Sequence, residues 1–171
     1  MFGFGRRRVT DHVVSAIRPL IANYQHVHGM PAGFWTNDFV ISFIGFLVSF
    51  HTSCTSGKKL SAEDKGYVLF EAFTNLSNMN GLEIGRRYTS LATAIPKNVE
   101  FERGADNAAI CAFYSIGKLT ADADEWVEKA ERIAATQSNG KKHAAVLAAL
   151  FHMLFYQQLH EIFGETDEGR T

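Results

Sequence analysis

The sequence predicts an all-α fold. About seven helices form a single domain, with two hydrophobic helices, over 36–54 and 141–163, at the centre and amphipathic helices wrapped around them. Three observations predict this. Apolar residues recur at helical spacing, and no run alternates apolar with polar as a half-buried strand does. Only three prolines occur, Pro19, Pro31 and Pro96, so long stretches carry no helix breaker. The 171 residues are 46% hydrophobic and 20% charged, a balance that suits one globular domain with a substantial core.

The first helix is expected over about 10–28, with Val13, Ile17, Leu20, Ile21 and Tyr24 along one face. Pro19 lies inside it, where the ring opposes the carbonyl of Ser15, so a kink or break is expected there. Gly29, Pro31 and Gly33 then interrupt the chain. The second helix, 36–54, is capped by Thr36 or Asn37, with Asp38 at the positive end of the dipole. From Phe39 to Phe50 its only non-apolar residues are Ser42, Gly45 and Ser49, so it reads as apolar on every side. That run is well short of the roughly 20 apolar residues of a bilayer crossing, which predicts a core helix instead.

Residues 55–59 read as a loop, and Ser61 as the cap of a third helix with Glu63 and Asp64 in its first turn. Leu69, Phe70, Phe73 and Leu76 form its buried stripe, and Asn80-Gly81 reads as its C-terminal stop. Ile84, Tyr88, Leu91 and Ile95 form the stripe of a fourth helix that ends at Pro96, with Glu83 and Arg87 as an outward pair one turn apart. A fifth helix carries Ala109, Ile110, Phe113 and Ile116 and stops near Gly117. Asp122 with Glu125 signals the start of a sixth. There Trp126, Ala130 and Ile133 face inward, while Glu125/Lys129 and Glu128/Arg132 pair outside. After Asn139-Gly140, the last helix, 141–163, is nearly all apolar from Ala144 to Tyr156. Residues 1–8 and 164–171 are expected as flexible tails.

Composition narrows the function classes. A formal net charge of −1 gives no general attraction to nucleic acid or to an anionic membrane. Fourteen Phe against two Trp and five Tyr put most of the aromatic surface in a dry interior or interface. Two cysteines, Cys54 and Cys111, are too few for a disulfide scaffold, so free thiols in a reducing compartment are expected. The residues from Met1 to Arg8 do not read as a secretory signal, and Phe2 stands where myristoylation needs glycine. A cytoplasmic location follows by elimination.

No metal or cofactor is expected from the histidine spacing. His152 and His160 lie two helical turns apart, about 12 Å, too far for one ion. His51 and Cys54 are three apart, but no second ligand pair accompanies them. Neither a nucleophile elbow nor a phosphate-binding glycine loop occurs. Gly81 and Gly85 match a small-residue pattern that carries little meaning outside a membrane.

Four groups remain as candidate sites. His152 stands between Phe151 and Met153 and is expected to be buried, either hydrogen-bonded in the core or, with Tyr156, lining an apolar ligand pocket. The basic residues Arg6 to Arg8, Lys58 with Lys59, and Lys141, Lys142 and His143 fall at predicted helix starts, where cations oppose the dipole and an anion offsets them. Phe39, Phe43, Phe46 and Phe50 share one helical face that can serve as core or as a partner interface. Cys54 beside His51 is the one position where an activated thiol is conceivable. The leading expectation is a non-enzymatic protein that acts by association, as a homodimer or adaptor. A small-ligand or cofactor sensor with its pocket near His152 is one alternative. An enzyme whose site forms only in three dimensions is the other.

Overall fold

The computed structural model describes residues 3–57, 60–120, 123–136 and 142–164. Among the described residues the secondary structure is all helical: α1 Gly3–His28, a 3-10 turn Phe34–Thr36, α2 Asp38–Ser56, α3 Ala62–Ser77, α4 Gly81–Thr93, α5 Val99–Ser115, α6 Asp124–Ala135, α7 Lys142–Phe151 and α8 Gln157–Phe163. A π turn, His152–Tyr156, joins α7 to α8, and Phe151 and Gln157 at its borders are helical, so the three form one rod. The chain divides into two compact units, 1–105 and 106–171, with the boundary inside α5.

In the first unit, α1 packs on α2 and α3, α3 packs on α4, and α2 lies against all three. Local chemistry sets the helix starts. The Asn37 side chain accepts from the Val40 amide at 3.1 Å, and Ser61 accepts from the Asp64 amide at 3.1 Å. From Phe39 to Val48 every residue of α2 is buried except half-buried Phe46, as a helix apolar on all sides requires. By length and composition α2 would also reach across a membrane, but 61% of that stretch is buried inside the protein.

Several expectations are corrected here. α1 begins at Gly3, so Arg6, Arg7 and Arg8 lie within the helix rather than in a tail ahead of it. Its start is anchored by tertiary contact: the Arg6 guanidinium lies 4.4 Å over the Tyr67 ring and 3.6 Å from Asp64. Of the kink or break expected at Pro19, the break does not occur, since one helix runs through it. Pro19 and Ser15 are both exposed, so water can satisfy the carbonyl left without a donor, while buried Val13, Ile17, Ile21 and Tyr24 hold both halves to the core. Asn80-Gly81 starts α4 instead of ending α3. Asn78, in the left-handed conformation, closes α3, and the Asn80 side chain caps the Leu82 amide at 3.2 Å. Gly81 and Gly85 do carry meaning, because a side chain on either would strike Phe70 or Thr74 of α3. At both positions the two helices lie too close for a side chain between them.

In the second unit α6 packs against α7. Gly117, at φ +72°, follows the end of α5 as expected. α6 buries Ala130 and Ala134, whereas Trp126 is half-buried and Ile133 exposed. The rod α7–α8 is buried on one side only, through Val146, Leu150, Leu154, Phe155 and Leu159. Its open face carries Ala144, Ala148 and His152. The expectation of a rod apolar all round is therefore corrected. Alanine counts as apolar but costs little in water and favours helix, so an alanine-rich face need not be covered.

Candidate functional site

The most organised polar cluster of the first unit begins at Asp38, in the first turn of α2. Its Oδ1 accepts from Arg87 Nε at 2.9 Å and from Arg87 Nη2 at 2.6 Å, and its Oδ2 accepts from Asn98 Nδ2 at 3.0 Å. Arg87 thus ties α4 to α2, in place of the expected pairing with Glu83. Asn98 acts twice, because its Oδ1 also caps the Phe101 amide at 2.9 Å and starts α5. Lys97 Nζ donates to the Ala92 carbonyl at 2.8 Å, closing the last turn of α4. At the start of α5, the Ser42 hydroxyl donates to the Phe101 carbonyl, and Gly104 leaves no room for a side chain against Phe39.

The corner between α4 and α5 is therefore fixed from both ends, and it carries the two most exposed large aliphatic side chains among those described. Ile95 is 94% and Val99 74% exposed. Helical spacing places Ile95 in the buried stripe of α4, and the structure does not. Pro96 explains the difference, since a residue before proline is pushed out of helical geometry, and α4 ends at Thr93. That signal was readable. Val99 is the first residue of α5, which recognition of Asn98 as a cap would have shown.

No protein family matches the chain, and no curated protein or solved structure does either.

The other expected sites fare differently. His152 is exposed, which corrects the expectation of a buried imidazole, and it meets half-buried Tyr156 edge-on at 6.3 Å. Both stand on the π turn. Lys58, Lys59 and Lys141 lie outside the described residues. Lys142 pairs with Glu131 of α6 at 3.1 Å, and the His143 ring stacks on Tyr114 at 4.7 Å. The negative charge expected to offset Lys142 at its helix start is thus supplied from within the chain.

The phenylalanine stripe splits. Phe39 and Phe43 are fully buried, with the Arg103 guanidinium 5.2 Å over the Phe39 ring, whereas Phe46 and Phe50 are half-buried. Burial, and then the positive charge of nearby His12, hold the His51 pKa below its ordinary value. Cys54 is exposed and Cys111 buried, where burial pushes the thiol far up. Among the described residues no group of His, Cys, Asp and Glu could hold a metal ion.

Proposed function

We propose that the chain works by association through the α4–α5 corner, with a second copy of itself as the partner. The observation that carries this reading is the display of Ile95, almost wholly in water, and of Val99, largely so, on a connection held by Asp38, Arg87, Lys97 and Asn98. Aliphatic groups on a pre-ordered support lose little further freedom on docking. Seventeen basic against eighteen acidic residues leave a net charge of only −1, too little to keep copies apart. A two-fold arrangement is the simplest closed one, since it lets each copy bury the same corner.

Magnitudes set the strength. Burying Ile and Val on both copies contributes about 6–12 kcal/mol in all, against an association cost of about 4–15 kcal/mol. The dimer is accordingly weak and concentration-dependent. Sedimentation velocity from about 1 μM to about 1 mM tests it. The weight-average sedimentation coefficient is expected to rise with concentration, and Ile95→Asp or Val99→Asp to abolish the rise. A constant monomer value over that range, or an unchanged rise in both variants, contradicts the reading.

A further inference from the structure

We propose that the cleft between α2 and α3 binds a small carboxylate with an aliphatic body. The cleft measures about 200 Å³ and lies over Val48 and Leu69, with Thr52, Ser53, Lys65 and Gly66 around it. The inference is independent of the association reading.

The decisive observation is Thr52. Hydroxyls in these helices regularly donate to the carbonyl four residues back: Ser56 to Thr52 at 2.6 Å, Thr74 to Phe70 at 3.0 Å, Ser77 to Phe73 at 2.6 Å and Thr89 to Gly85 at 3.0 Å. Thr52 breaks the habit. It is 2% exposed, yet its Oγ1 has no hydrogen-bond partner. A buried hydroxyl without a partner is costly, and the residue that carries it lines the cleft.

The rest of the lining defines the ligand. Among the described residues Lys65 is the only charged one lining the cleft; it is half-buried and forms no ion pair with any of them. Among the described residues no acidic side chain lines the cleft, so an anion is favoured. A single ammonium balances a monoanion. A hydroxyl supplies the hydrogen bond that a carboxylate oxygen accepts. Val48 and Leu69 offer apolar surface to a short hydrocarbon tail. Ser49 also lines the cleft, but its side chain is engaged with Tyr88 of α4. The volume limits the ligand to a few carbons.

The test is a titration of the full chain followed by amide NMR, with sodium butyrate as probe and sodium chloride and sodium phosphate as comparisons. Saturable shifts are expected at Val48, Thr52, Ser53 and Gly66 with butyrate. Binding is expected to weaken roughly tenfold in Thr52→Val, which keeps the shape and removes the hydroxyl, and likewise in Lys65→Met. Lys65→Met keeps the test open if Thr52→Val fails to fold. Shifts no different from those with chloride overturn the site. Wild-type affinity in a folded Thr52→Val or in Lys65→Met overturns the assigned contacts. Tighter binding of phosphate than of butyrate overturns the carboxylate assignment.

Discussion

The Asn107 side-chain amide donates to the Leu154 carbonyl at 2.9 Å, from α5 into the π turn that joins α7 to α8. Leu154 is fully buried, so the donor reaches the backbone in the stretch where the helix departs from four-residue bonding. Asn107→Ala is expected to cost about 1–3 kcal/mol. At roughly 2–4 °C per kcal/mol for a chain of this size, thermal unfolding by circular dichroism resolves the difference. An unchanged midpoint would show that the π turn holds itself.

Asp38 joins three elements with one carboxylate. Asp38→Ala is expected to lower stability by about 1–2 kcal/mol, through the lost contacts of Arg87 and Asn98 and the lost charge at the α2 start. Because Arg87 is partly exposed, added salt should shrink the difference between wild type and variant. Denaturant titrations at low and high salt measure both effects. A salt-independent loss would mean that charge plays no part.

His51 makes stability depend on pH. Its folded pKa lies below the ordinary 6.5, so the unfolded chain binds the proton more readily. The contribution is complete above 6.5 and is lost as pH falls from there toward the folded value. Urea midpoints measured between about pH 8 and about pH 5 should decline on the acid side in wild type, and less steeply in His51→Gln. Parallel curves would remove His51 from the account.

Glycine substitutions separate room from propensity. Gly81→Ala drives a methyl against the backbone of Phe70 and Thr74, and should cost about 1–3 kcal/mol. Gly66→Ala meets nothing within 4 Å inside α3 and should stabilise by about 0.5–1 kcal/mol. Urea unfolding of the two variants gives opposite signs if the close approach of α3 and α4 is as described.

What could be read from sequence depended on whether the signal was local. Asn37 and Ser61 identified their helix starts because a cap bonds within three residues of itself. Asn80-Gly81 misled, since the same pair closes one helix or opens the next depending on the angles of its neighbours. Sequence points Arg87 to Glu83 because helical spacing is visible there and the contact with Asp38, 49 residues away, is not. The α7–α8 rod reads from sequence as too apolar to be open because hydrophobicity counts alanine alongside leucine. Of the candidate interface, Phe46 and Phe50 keep partial exposure, while Phe39 and Phe43 belong to the core. Ile95 and Val99 were missed although Pro96 and Asn98 mark the corner that displays them.

The association surface is tested most directly by the methyl groups that form it. In carbon–proton spectra recorded over a concentration series, the Ile95 and Val99 methyl signals should move together with concentration. The Val27 methyls, 71% exposed on α1, should stay fixed. Stationary Ile95 and Val99 signals while the protein dimerises, or equal movement at Val27, would contradict the α4–α5 corner as the point of contact.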